Sequence, residues 1–200
     1  MAWQEGNQKR RLSKTRDINK ELLEGDLGFL EEKEAKLLLY KFLRENTTFA
    51  ADLLMGIKLF PFQHMSVKAM FETDYFMGVW SRGMSKSFTT AIFAALDATL
   101  NQGVEIGILS KSFRQAKMIF KKIEDIAAKP EAALFAQCIT KKSKSNDEWL
   151  LEIGSSRIRA LPLGDGEKLR GFRFHRIIID EFFSCQKEFI TKLSCRFYLS

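Results

Sequence analysis

Hydrophobic positions fall along this chain in two rhythms. Between Leu27 and about Arg44, Phe29, Leu30, Lys33, Leu37, Leu38, Lys41 and Phe42 follow helical spacing and predict an amphipathic helix. Phe49 to Leu54 predicts a second helix, closed by Gly56. Pro61 opens a third, which runs through Met70. The run Tyr75-Phe-Met-Gly-Val-Trp80 has strand length, and residues 81–87 form a loop of small and polar residues. Phe88, Ile92, Ala95, Leu96 and Leu100 then predict a helix, stopped at Asn101-Gln-Gly103. Val104 to Leu109 reads as a strand and Phe113 to Ala127 as a helix. Pro130 opens a short helix, and Lys141 to Asp147 is polar enough for a surface loop. Trp149–Ile153 and Arg157–Leu161 predict a strand pair around Gly154. A loop over residues 163–171 leads to the apolar run Arg176-Ile-Ile-Ile-Asp180.

Strands that alternate with helices, and that are apolar throughout, predict an α/β fold with a mostly parallel sheet flanked by helices. Composition agrees: the chain has 200 residues, 46% hydrophobic and 28% charged, which excludes global disorder. Eighteen phenylalanines promise a large core. No run approaches the roughly 18 apolar residues of a membrane helix, and the basic N-terminus lacks the apolar stretch of a secretory signal. Cys138, Cys185 and Cys195 form no CxxC pair, so a reducing compartment is expected and a structural zinc site is not.

The formal charge of +7 is unevenly placed. Residues 1–20 hold six bases and two acids, a basic arm without apolar periodicity, while residues 21–46 reverse the sign with seven acids against four bases. The rest carries 22 bases and 16 acids, a balance compatible with phosphate neutralisation on nucleic acid.

The chemistry lies between the predicted strand 75–80 and the helix that follows. A phosphate-binding loop needs backbone N–H groups curled around the anion, a lysine for the terminal phosphates and a hydroxyl for Mg²⁺, all at a helix N-terminus. Ser81-Arg-Gly-Met-Ser-Lys-Ser87 offers this, with Lys86 and Ser87 in the lysine and hydroxyl places. Ser81, Arg82, Gly83, Met84 and Ser85 would supply the cradle. The strict GxxxxGK[ST] pattern fails twice, at Trp80 and at Ser85. A Cβ at Ser85 carries strain if the loop needs a positive φ there. Asp180, at the end of an apolar strand, fits a Walker B acid that holds Mg²⁺, and the adjacent Glu181 is placed to polarise water. The order and spacing of the two motifs predict a RecA-like P-loop NTPase of the class with an added catalytic glutamate. Gln63 adds a candidate adenine contact, since a carboxamide pairs with both N6 and N7, favouring ATP.

With these residues in hand, the chain resembles the ATPase portion of the large terminase subunit of tailed bacteriophages. The resemblance is carried by the SRxxxKS loop, by Ser112-Phe-Arg-Gln-Ala-Lys117 after a strand, and by the approach to Asp180. That approach runs Arg157-Ile-Arg-Ala-Leu-Pro162, then Leu169-Arg-Gly171. It implies an ATP- and Mg²⁺-dependent motor that drives double-stranded viral DNA into a capsid. A small terminase subunit, a capsid portal and a homo-oligomeric ring would be its partners, in the cytoplasm of a bacterial host. Carried over by position, Gln63 contacts adenine, Arg82 senses the γ-phosphate and Lys86 binds the β- and γ-phosphates. Ser87 and Asp180 hold Mg²⁺, and Glu181 is the catalytic base. Arg170 and Arg173 are candidates for contacting DNA phosphate or reporting nucleotide state.

The domain organisation expected is a basic arm over 1–20, a helical segment over 21–48, the ATPase core over 49–182 and a divergent tail over 183–200. Only 19 residues follow Glu181, which suggests a truncated product, such as a prophage remnant, without coupling strand or nuclease domain. Two alternatives stand beside this reading: a fragment of a helicase-like ATPase, or a non-catalytic nucleotide- or partner-binding remnant.

Overall fold

The structure, a computed structural model, describes residues 32–162 and 171–181. Two compact units divide the chain at Asn46. The first contributes helix α1, Glu32–Glu45, which matches the C-terminal part of the first predicted helix. Asn46 closes it, the side-chain Nδ2 donating to the Phe42 carbonyl at 2.9 Å.

The second unit opens with α2 (Thr47–Met55) and α3 (Pro61–Glu72). Pro61 sits where its missing N–H costs nothing. α4 (Lys86–Leu100) follows the loop 81–85. Then come β1 (Glu105–Ser110), α5 (Phe113–Ala127), a single 3₁₀ turn (Pro130–Ala132) and α6 (Ala133–Cys138). β2 (Ile139–Lys144), β3 (Trp149–Ile153), β4 (Ser156–Pro162) and β5 (Arg176–Asp180) complete a five-stranded sheet in the order β2-β3-β4-β1-β5.

The sheet is mixed rather than mostly parallel. β1 runs parallel to both β4 and β5, but β2-β3-β4 is an antiparallel meander. Its connections are too short for a parallel crossover. Gly154, at φ +56°, makes the β3–β4 turn, and a Ser145–Glu148 turn joins β2 to β3. β2 is a strand where the sequence predicted a loop. Its lysines stand on an edge strand, where charge discourages further pairing and hides the apolar alternation by which strands are recognised.

Register assigns the two faces of the sheet. Ile106, Ile108 and Ser110 share a face with Ile158, Ala160, Leu151, Ile178 and Asp180. Helices α4 and α5 cover this face: Arg176 on β5 reaches Asp97 on α4, and Ser110 on β1 reaches Gln115 on α5. α4 is buried from Ala91 through Ala98, and its alanines let it lie close to its neighbours. On α5, Ile119, Phe120, Ile123 and Ile126 form the buried stripe, with Phe120 edge-on to Trp149 at 5.6 Å. Each such side chain contributes roughly 1.5–3 kcal/mol when fully buried.

The opposite face is divided. Leu109 and Leu161 pack with Phe172, Phe174, Ile177 and Ile179. The Phe174 ring lies over Gly107, only 3.1 Å from where a Cβ would stand. Nearer the other end, Glu105 bridges Arg157 and Arg159. Burial alone would lower the Arg159 pKa, but hydrogen bonds from its guanidinium to Glu148 and Glu105 hold it above the ordinary arginine value.

Two further expectations need correction. Residues 75–80 form no strand: Tyr75, Met77 and Val79 are largely exposed. An apolar run reports propensity but supplies no partner, and Gly78 in its middle weakens it. In consequence β5 is an edge strand among the described residues, half-buried along its length rather than central. The predicted arm 1–20, the tail 183–200 and the loop residues 163–170 lie outside the described residues.

Candidate functional site

The C-terminal ends of β1 and β5 and the N-terminus of α4 meet at one place. The loop into α4 turns at Arg82-Gly83, with Gly83 at φ +85°, and the backbone N–H of Met84 donates weakly to the Ser81 carbonyl at 3.5 Å. Ser85 caps the helix from the left-handed region, φ +52° and ψ +27°, which bears out the strain expected at this position. Its carbonyl accepts from the N–H groups of Phe88 and Thr89 at 3.0 and 2.9 Å, so the helix is under way at Lys86. The first N–H groups of α4 lack intrahelical acceptors by geometry and carry the positive end of the helix dipole. Residues 81–85 are exposed, so a phosphate chain has access to them.

Lys86 and Asp180 are brought together. Lys86 Nζ lies 2.8 Å from Asp180 Oδ1, with the carboxylate largely buried and the ammonium partly exposed. Asp180 Oδ1 also accepts the backbone N–H of Glu181 at 3.1 Å, which leaves Oδ2 for other donors. Ser87 stands one residue into the helix, half-buried.

Glu181 breaks the strand abruptly. Its φ is +55°, and it shares with Ser85 the distinction of being the only non-glycine residues at positive φ among the described residues. Both therefore fall at this site. Such conformations cost about 1–3 kcal/mol and persist where the surroundings hold them. The Glu181 carboxylate accepts a hydrogen bond from Gln115 Nε2 at 2.7 Å, and Gln115 Oε1 accepts one from Ser110 Oγ, also at 2.7 Å. Sequence reasoning placed Gln115 in a family block but assigned it no role, and Ser110 was not singled out. The available signal was position: Ser110 ends the strand beside Asp180 and pairs in register with it, and Gln115 stands in the first turn of the helix that follows that strand.

Behind the site, Arg176 Nε donates to Asp97 Oδ2 at 2.7 Å, and Asn101 Nδ2 donates to Oδ1 at the same distance. Asp97 is fully buried on α4. This pair ties the helix that carries Lys86 to the strand that carries Asp180.

Gln63 sits apart from this cluster, in the first turn of α3. It is buried, and its Oε1 accepts the Phe60 backbone N–H at 3.0 Å, half of a capping box. Arg173 is exposed between Phe172 and Phe174, and Arg170 lies outside the described residues.

The comparison with protein families decides what kind of chain presents this arrangement. The family described as terminase large subunit, T4likevirus-type, N-terminal, matches residues 77–199. The chain belongs to this family. The terminase match takes in the loop 81–87, the Ser110–Gln115 turn and the Asp180-Glu181 pair. It continues to residue 199, through the segment that sequence reasoning set apart as a divergent tail, and it leaves out residues 49–76. No curated protein matches the chain. No helix among the described residues of this terminase domain is long and apolar enough to cross a membrane.

Proposed function

We propose that this terminase domain binds and hydrolyses ATP with Mg²⁺, as the motor portion of a viral DNA-packaging machine. The observation that carries the reading is the meeting of Lys86, at the N-terminus of a helix behind an exposed loop, with Asp180 at the end of an adjacent strand. A lysine, free helix N–H groups and a hard carboxylate in one place are the groups a nucleoside triphosphate with its cation requires.

In this reading the loop 81–85 and the first N–H groups of α4 hold the phosphates, and Lys86 leaves Asp180 for the β- and γ-oxygens. Mg²⁺ takes one or two protein oxygens and completes its shell with phosphate and water. The Ser87 hydroxyl and Asp180 Oδ2 would be its protein donors. Bound there, the cation would neutralise charge that develops on the phosphates. Glu181 orients the attacking water, and Arg82 responds to the γ-phosphate. Gln63 Oε1 takes one hydrogen bond from the Phe60 N–H, and its second lone pair would accept from adenine N6 while Nε2 donates to N7, a pairing that guanine with its O6 acceptor does not offer. Double-stranded DNA, a small terminase subunit, a portal and a ring of copies in the host cytoplasm complete the proposal.

Equilibrium binding of a fluorescent ATP analogue with Mg²⁺, competed by ATP and by GTP, tests the reading. Micromolar binding that ATP displaces more readily than GTP is expected, with the preference reduced in Gln63→Ala. No binding to the folded protein would overturn it.

A further inference from the structure

We propose that Gln115 is a positioning residue for Glu181, anchored through Ser110. The proposal rests on the hydrolytic reading above and concerns how the glutamate is aimed.

Ser112-Phe-Arg-Gln115 has the spacing of a capping box, in which the glutamine would reach back to the Ser112 N–H. In the structure it does not. Ser112 makes no side-chain cap, and both ends of the Gln115 carboxamide are engaged elsewhere. Ser110 Oγ donates to Oε1, which fixes the orientation of the amide, and Nε2 then donates to Glu181 Oε2. Ser110 is fully buried at the end of β1 and pairs in register with Asp180, so the anchor belongs to the sheet itself.

The backbone contributes independently. Side chains alternate along a strand, so a continued β5 would turn Glu181 away from the face that carries Asp180, Ser110 and α5. The left-handed φ of +55° breaks this alternation, and the carboxylate comes to α5 instead. Two constraints of different kind therefore converge on one carboxylate.

The choice of an amide suits a base. A lysine or arginine would hold Glu181 equally well but would neutralise it, whereas an amide donor orients it and leaves its charge intact.

Steady-state ATP hydrolysis by the full chain, with separate equilibrium binding of a non-hydrolysable ATP analogue and Mg²⁺, tests this. A small displacement of a reacting group costs up to about 100-fold in rate, so Gln115→Leu is expected to lower kcat by about 10- to 100-fold. KM and the analogue Kd are expected to stay within about twofold, because the residue touches Glu181 and not the nucleotide. Ser110→Ala gives a smaller loss. The double variant is no slower than Gln115→Leu alone, since the two act through one chain of hydrogen bonds. Should Gln115→Leu not fold, Gln115→Glu keeps the shape, sets a like charge against Glu181, and is expected to lose kcat in the same way. An unchanged kcat in an active wild-type background, a loss carried by KM, or independent multiplicative effects at the two positions would overturn the relay alone. A wild-type chain that does not hydrolyse ATP would overturn the hydrolytic reading, and the relay with it.

Discussion

Lys86 Nζ and Asp180 Oδ1 stand 2.8 Å apart, joining the first residue of α4 to the last residue of β5. This pair is partly exposed, so it is worth at most about 1 kcal/mol to the fold. On the proposed reading, its placement serves nucleotide binding more than stability. Lys86→Ala and Asp180→Asn should therefore shift a denaturation midpoint by an amount equivalent to about 1 kcal/mol or less, while Mg²⁺-ATP binding weakens by about 10-fold or more. Chemical denaturation and analogue binding, run on the same preparations, check both halves.

Ser85 gives a prediction of opposite sign. It departs from the glycine of the strict pattern, yet its backbone adopts the left-handed conformation that glycine would take without cost. Ser85→Gly should stabilise the fold by about 0.5–1 kcal/mol, the relief of strain being partly offset by the greater freedom of glycine in the unfolded chain. Ser85→Val, β-branched at positive φ, should destabilise it by about 1–2 kcal/mol. Thermal melts of the two variants would separate in opposite directions from the wild type.

The ion pair behind the site is structural. Asp97 is fully buried and its two oxygens are taken by Arg176 and Asn101. Arg176→Met would leave that carboxylate without its cation, at a cost of about 3 kcal/mol or more. Replacing both Asp97 and Arg176 by leucine should cost less than Arg176→Met alone, because no charge is then stranded. Urea denaturation of the three proteins measures the ordering.

Much of this was legible in the chain, and the exceptions share a cause. α5 runs from Phe113 to Ala127 as its apolar stripe predicts, and β5 occupies Arg176–Asp180 as its apolar run predicts. Local pattern carries those elements. It failed at Tyr75–Trp80, where apolar residues suggested a strand but no partner is present among the described residues, and at Ile139–Lys144, where lysines conceal an edge strand. Pairing is non-local, and edges are polar for reasons of solubility. The site shows the same division. Lys86, Asp180 and Glu181 were marked by motif, and Ser85 by the missing glycine. Gln115 and Ser110 became visible only when the sheet set Ser110 beside Asp180. Gln63 was read as an adenine contact from residue type. The structure adds a cap at Phe60 that the same residue type serves equally well.

Ser87 and the cation admit a separate check. If the Ser87 hydroxyl and Asp180 Oδ2 are the protein donors to Mg²⁺, chelation with EDTA should weaken nucleotide-analogue binding by about 10-fold or more. Ser87→Ala should remove most of that difference while leaving metal-free binding near the wild-type value. A titration of analogue affinity against free Mg²⁺ for both proteins reads this out.

The most direct measurement is ATP turnover by the purified chain alongside Lys86→Ala and Glu181→Gln, all three confirmed folded. The account predicts slow but measurable Mg²⁺-dependent hydrolysis by the wild type. Lys86→Ala should lose it together with nucleotide binding, and Glu181→Gln should retain binding but turn over about 100-fold or more slowly. Hydrolysis that survives Lys86→Ala, or binding by Glu181→Gln with undiminished turnover, would contradict it.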